Sequence, residues 1–195
     1  MIETPHGPAR AELHPARDEA RAALMLGHGA NGGIKARDLQ AVTAVARELG
    51  YTVALVEQPY VVAGRRSPAP AHQLDAAWLA VVEHLRAGEL AGLPLVTGGR
   101  SSGARVACRT AAAAGAAGVL CLAFPEHPPG TPEKSRLDEL DAVEVPVLVV
   151  QGQADPFGMP PAGPNREVAV VPGTHSFTRG LDGVVDAVRG WLAQR

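Results

Sequence analysis

Short aliphatic runs alternate along the chain with amphipathic or alanine-rich stretches, and glycine and proline punctuate the joins. The aliphatic runs predict strands at Ala22–Leu26, Thr52–Val56, Leu95–Thr97, Val119–Phe124, Val147–Val150 and Glu167–Val171. They lack the polar alternation of a half-exposed strand, so the sheet they form is expected to be parallel and covered on both faces. Helices are predicted between them over Asp38–Leu49, Leu74–Arg86, Ser102–Ala114, Ser135–Ala142 and Leu181–Leu192. In the first, Leu39, Val42, Val45 and Leu49 recur at helical spacing and give one core-facing stripe. Residues before Ala22 offer an antiparallel edge strand around Ala9–His14, bounded by Pro8 and Pro15. The rhythm is that of an α/β fold, a mostly parallel central sheet with helices on both faces, and residues 1–195 read as a single domain.

Three segments break the rhythm: Gln58–His72, Pro125–Pro132 and Pro156–Asn165 are rich in proline and glycine and read as loops. Each follows a strand. In an open parallel sheet the loops at the carboxyl ends of strands line the ligand crevice, so these three are the expected pocket walls.

Composition narrows the function classes. Charged residues make up 19% of the chain and hydrophobic ones 46%, which excludes a disordered chain, and only 4% are aromatic, so packing falls to Ala, Val and Leu. With a formal net charge of -2 and no basic cluster, neither nucleic acid nor an anionic membrane is an expected partner. Cys108 and Cys121 lie in apolar segments without metal or disulfide spacing and are expected to be buried and reduced. No apolar core of signal-peptide length occupies the first twenty residues, and no run reaches the ~18 apolar residues that span a bilayer. A soluble, cytoplasmic protein is expected.

The most informative segment follows the strand at Leu95–Thr97. There Gly99-Arg100-Ser101-Ser102-Gly103 fits G-x-S-x-G between a strand and a helix. A serine at that junction sits on a sharp turn, and small neighbours let adjacent backbone approach. Ser101 would stand at the helix N-terminus, where the helix dipole and the Ser102 N–H favour an oxyanion. Ser102 is a neighbouring hydroxyl, but centring the motif on it would need glycines where Arg100 and Ala104 stand. The alternative is a glycine-rich turn with serine as a helix cap.

A serine nucleophile in this setting requires an acid after a later strand and a histidine after the last one. Asp155 follows Val147–Val150 by a short Gln-Gly-Gln-Ala segment; its alternative is an Asp-Pro turn. Of seven histidines, His175 alone follows Asp155, on a glycine-containing turn after the strand Glu167–Val171. His175 would take the Ser101 proton and return it to the leaving group, while Asp155 holds the imidazole and stays ionised. A second oxyanion donor is expected from the backbone N–H of Ala30, in Gly27-His28-Gly29-Ala30-Asn31-Gly32-Gly33. That loop lacks both the G-x-G-x-x-G spacing and a Walker lysine, which argues against nucleotide binding. His28 reads as a packing residue. The histidines are scattered without ligand spacing, so neither a metal nor another cofactor is expected.

With these loops in place, the chain from about Ala22 to its end resembles the α/β-hydrolase superfamily. More narrowly it resembles the branch of bacterial dienelactone-hydrolase-like proteins and the related animal testis-expressed and NSL-complex subunits. The carrying residues include Gly27-His28-Gly29-Ala30, Glu57-Gln58-Pro59-Tyr60, Gly98 to Arg105, Phe124-Pro125, His127 to Gly130, Gln151-Gly152, Asp155-Pro156-Phe157-Gly158 and His175-Ser176-Phe177. The resemblance implies the triad Ser101, Asp155 and His175, with Ala30 and Ser102 as the oxyanion hole. The chain departs from the usual pattern in two ways: Pro156–Asn165 is too rich in Pro and Gly for a helix after the acid, and no insertion is long enough for a cap domain. A shallow, open pocket follows, suited to a small-molecule ester, thioester or lactone.

Two functions remain open from the sequence: a serine hydrolase working through an acyl-enzyme on Ser101, or a non-catalytic binding or scaffold protein that keeps the fold. Acyl transfer to an acceptor other than water would use the same residues. Arg65, Arg66, Lys134 and Arg136 are either a solvated loop surface or positive charge beside the crevice that would favour carboxylate-bearing substrates. Arg100 and Arg105 either pair with carboxylates such as Glu57 or face water. The sheet edges would support a homodimer.

Overall fold

The computed structural model describes residues 1–30, 33–177 and 180–195. Its strands are β1 (Arg10–His14), β2 (Ala22–Gly27), β3 (Tyr51–Glu57), β4 (Leu95–Arg100), β5 (Gly118–Leu122), β6 (Val147–Gly152) and β7 (Arg166–Val171). The helices are α1 (Arg37–Glu48), α2 (Pro59–Val62), α3 (Ala71–Ala87), α4 (Ser102–Thr110), α5 (Leu137–Asp141) and α6 (Leu181–Leu192). One seven-stranded sheet runs in the order β1-β3-β2-β4-β5-β6-β7, parallel except for β1, which pairs antiparallel with β3. The edge strand around Ala9–His14 is therefore present.

Alternate strand residues divide the core. Leu24, Leu26, Val53, Leu55, Leu120, Leu122, Leu148 and Val150 face α1 and α6. Their neighbours face α3, α4 and α5: Met25, Ala54 and Val56 pack with Trp78 and Val81, while Val119, Cys121, Val147 and Val149 pack with Ala104, Ala107 and Leu140. Because strand side chains alternate, a continuous aliphatic run satisfies both faces at once.

The chain reverses direction across the sheet after β3, so β4 lies on the other side of β2. Right-handed crossovers then put α1 on one face and α3, α4 and α5 on the other. The carboxyl ends of β2 and β4 flank this switch point, where a crevice opens. The loop after β2 and the turn into α4 meet there.

Several boundaries differ from the sequence reading. Gln58–His72 contains a turn of helix, Pro59–Val62, and α3 begins at Ala71 rather than Leu74. Pro59 occupies the first turn of α2 and Pro70 immediately precedes α3, places where a fixed φ and a missing N–H cost a helix nothing. Strand β4 continues through Gly98 and Gly99 to Arg100. Strand β5 stops at Leu122, before Ala123, whose φ of 52° breaks the extended backbone. Helix α4 ends at Thr110, four residues before its predicted end at Ala114, and α5 is trimmed at both ends. No cap domain occurs among the described residues.

Candidate active site

Ser101 has φ 52° and ψ -111°, a left-handed conformation that a side chain adopts only when its surroundings over-determine it. Backbone packing does so here. A Cβ on Gly103 would meet Gly27 C and O at 2.5 Å, and one on Gly99 would meet Gly27 O at 2.5 Å. The two motif glycines thus let α4 and β4 press against the end of β2. The Ser101 N–H donates to Leu122 O at 2.9 Å, tying the turn to the neighbouring strand.

Ser101, His175 and Asp155 are brought into one hydrogen-bonded line. Ser101 Oγ lies 2.9 Å from His175 Nε2, and His175 Nδ1 lies 2.9 Å from Asp155 Oδ2. A carboxylate can only accept, so Nδ1 carries the proton and Nε2 is left to accept from the serine hydroxyl. The Asp155 side chain is completely buried, and Oδ1 accepts the Phe157 N–H at 2.9 Å. The Phe157 ring lies against the His175 imidazole, centroids 4.2 Å apart. Gly152 allows the acid and histidine loops to close on each other, since a Cβ there would meet Thr174 O at 2.6 Å.

Gln151, fully buried one residue before Gly152, entered the sequence reading only as part of the resemblance and without a role in the site. Its Nε2 faces Asp155 Oδ2 at 2.9 Å, Gly158 O at 2.8 Å and Phe124 O at 3.1 Å. Three acceptors around one nitrogen fix the orientation of the amide.

The two expected oxyanion donors, Ala30 and Ser102, line the same cleft as Ser101 and His175. Neither N–H has an acceptor among the described residues. Asn31 and Gly32 of the same loop lie outside the described residues. His28 Nδ1 donates to Gly29 O at 2.8 Å, and this carbonyl belongs to the peptide group that carries the Ala30 N–H. The other ring nitrogen accepts the Gln58 N–H at 3.2 Å, and Tyr60 Oη donates to Ala30 O at 3.1 Å. His28 thus packs in the loop as expected and also orients a peptide. Burial, opposed by the bond to Gly29 and the charge of Glu57, holds its pKa below the ordinary 6.5 and keeps the ring neutral.

The cleft has a volume of about 750 Å³ and is open to solvent. Pro68 and Ala69, Pro125, and Phe157 represent the three loops read from the sequence as its walls. The start of α1 and the half-buried flank of α4 at Arg105 and Arg109 also line it, which the sequence did not indicate. Arg100 pairs with Asp38 at 3.0 Å, and its Nη2 donates to His175 O at 2.9 Å. Arg100 and Arg105, for which carboxylate partners or water were left open, both have carboxylates, while Glu57, the example named, instead holds Arg10 across the β1–β3 edge. Arg105 and Arg109 bind Glu139, and Arg109 also binds Asp75, lacing α3, α4 and α5 together. Of the four cations considered beside the crevice, Arg136 alone lines it; Arg65 borders a smaller cavity, and Arg66 and Lys134 are exposed.

Cys108 and Cys121 are buried free cysteines with sulfurs 3.5 Å apart. Among the described residues no group of three or more His, Cys, Asp or Glu is arranged to hold a metal, and no helix is long and apolar enough to cross a membrane.

An elbow serine at the switch point of a mostly parallel sheet defines a class, and the sequence bears it out: residues 20–171 match the family described as an alpha/beta hydrolase domain, and the chain belongs to that family. Among solved structures it is similar to a serine hydrolase without a lid from Xanthomonas campestris, at 24% identity over 99% of this chain and 92% of that one, with a TM-score of 0.80. Est1E from Butyrivibrio proteoclasticus, solved with ferulic acid, aligns at 19% identity over 95% and 94% with a TM-score of 0.78. Dienelactone hydrolase from Anabaena variabilis aligns at 14% identity over 99% and 94% with a TM-score of 0.77. At these identities the likeness is one of fold. No curated protein matches the sequence significantly.

Proposed function

We propose that the chain is a serine hydrolase that cleaves a small carboxylic ester, thioester or lactone through an acyl-enzyme on Ser101. The observation that carries this reading is the unbroken line from Asp155 through His175 to Ser101, each link 2.9 Å, ending in an open cleft. In the first step Ser101 Oγ attacks the substrate carbonyl carbon as His175 Nε2 accepts the hydroxyl proton. The oxyanion forms between the N–H groups of Ala30 and Ser102, aided by the N-terminal end of α4. Collapse expels the alcohol or thiol, which takes the proton from His175. Water then repeats the sequence on the acyl-enzyme, releasing the acid and restoring Ser101. Asp155 remains a carboxylate throughout and stabilises the imidazolium of each half-reaction.

The neighbours' names agree in kind, since a lid-free serine hydrolase and a dienelactone hydrolase are among them. An open cleft without a cap favours small or extended acyl groups over a long chain that needs enclosure. The test is intact-mass analysis after a fluorophosphonate probe, on wild type and on Ser101→Ala. One label per wild-type chain and none on the variant is the expected result, followed by turnover of short 4-nitrophenyl esters and acyl thioesters. An unlabelled, folded wild type would overturn the reading in favour of a non-catalytic scaffold, and products carried by an added alcohol rather than water would identify an acyltransferase.

A further inference from the structure

Leu74, in the first turn of α3, is a wall shared by separate cavities. It lines the cleft that holds Ser101, and it also lines a second cavity of about 230 Å³ bounded by Pro59, Tyr60 and Ala63. Ala69 is the other residue common to both, and its side chain is a single methyl. A third cavity, of about 10 Å³, sets Leu74 against His28, Trp78 and Ser102. Leu74 is 6% exposed, and its carbonyl accepts Gln58 Nε2 at 3.2 Å, which ties the start of α3 to the chain leaving β3. A shorter side chain at this position would join the cleft to the cavity behind it.

The order of the strands gives this wall a side. Asp155 and His175 follow β6 and β7, which lie to one side of β4, whereas β2 and β3 lie to the other. Leu74 belongs to the cluster of Met25, Ala54 and Val56 on β2 and β3, and neither His175 nor Phe157 borders the second or third cavity. In ester cleavage the leaving oxygen takes its proton from His175 Nε2, so the alcohol half of the substrate lies on the histidine side. The carbonyl oxygen is directed to the N–H groups of Ala30 and Ser102. The acyl chain is left to run across Ser101 toward Leu74.

We propose that Leu74 sets the length of the acyl group: the substrate carries a short acyl chain that ends against this side chain, and the cavity lined by Tyr60 and Ala63 is closed to it. This deepens the hydrolase reading and rests on it for the reaction. Leu74 acts on selectivity alone, since it touches none of the three residues in the hydrogen-bonded line from Asp155 to Ser101 through a polar contact.

The test is a double series of esters. With 4-nitrophenol as the fixed leaving group, wild type is expected to prefer the butyrate to the octanoate in kcat/KM. Leu74→Ala raises the octanoate-to-butyrate ratio by about tenfold or more, each methylene seated in the opened cavity being worth about fourfold. Leu74→Val gives a smaller gain in the same direction and decides the matter if the alanine variant does not fold. Adding Ala63→Trp, which fills the second cavity from its exposed rim, cancels the gain. With butyryl as the fixed acyl group, the relative rates of the ethyl, butyl and octyl esters, followed by proton release, stay as in wild type. An unchanged acyl ratio in a folded variant, a gain that survives Ala63→Trp, or a shift in the alcohol series instead of the acyl series overturns the assignment while leaving the hydrolase intact. Should wild type turn over no ester, the hydrolase reading fails, and calorimetry on Ser101→Ala decides the wall separately. There the 4-nitrophenyl octanoate must gain affinity relative to the butyrate on adding Leu74→Ala; an unchanged difference overturns it.

Discussion

Replacing Gln151 by leucine removes the amide that faces Asp155 while leaving the triad untouched. The Gln151 side chain is buried, and its nitrogen stands 2.9 Å from Asp155 Oδ2, 2.8 Å from Gly158 O and 3.1 Å from Phe124 O. An amide nitrogen has two hydrogens for these three acceptors. The variant therefore forfeits one bond to a charged acceptor, worth about 1.5–3 kcal/mol, and one neutral bond of about 1 kcal/mol. The unpartnered Gln151 Oε1 disappears at the same time and offsets part of the cost. A net loss of about 2–3 kcal/mol in unfolding free energy is expected, read by urea denaturation at neutral pH. The carboxylate, left with the Phe157 N–H and His175, is freer to rotate, and misplacement of a catalytic group by an ångström can cost about a hundredfold. We expect kcat to fall by about 10- to 100-fold with a small change in KM, because Gln151 does not line the cleft. A Gln151→Leu enzyme within about 1 kcal/mol and threefold of wild type would refute the view that this amide positions the acid.

Two further outcomes follow from the same packing. Gly103→Ala sets a Cβ 2.5 Å from the Gly27 backbone and 2.9 Å from His28 O, so despite alanine's better helix propensity it should cost about 2–3 kcal/mol. Thermal melting should show this as a drop of about 5–10 °C, and an unchanged midpoint would mean that the elbow is not held by this contact. His28, its pKa lowered by burial, binds a proton more readily in the unfolded chain, so its contribution to stability is complete above 6.5 and is lost as the pH falls below that value. Wild type should therefore lose more stability between about pH 7.5 and about pH 5 than His28→Asn does, measured by urea unfolding; equal losses would show that the ring is not kept neutral.

The parallel strands were legible because a strand buried on both faces needs no alternation, and few segments other than a core strand tolerate runs such as Val147-Leu148-Val149-Val150. The meeting of Ser101, Asp155 and His175 was legible for a topological reason: each follows a strand whose carboxyl end points at the same rim. Topology of that kind can be written in one dimension. The partners of Arg100 could not be, since choosing Asp38 over Glu57 depends on how α1 leans over the elbow, and the charges read the same either way. The role of Gln151 was invisible for a related reason. Within an aliphatic strand followed by Gly152 it looks like a polar strand end, and only the fold turns Asp155, Phe124 O and Gly158 O toward one nitrogen. His28 carried a partial signal, because a histidine between Gly27 and Gly29 has little local reason to be there. Its role emerges only when Gln58, at the end of a different strand, supplies the N–H that fixes its tautomer and leaves the other nitrogen to orient the Ala30 peptide. The residues of the Ser101–His175–Asp155 line are thus set by chain order, whereas those that hold them in place are set by contacts between loops, where a sequence pattern has no period to reveal them.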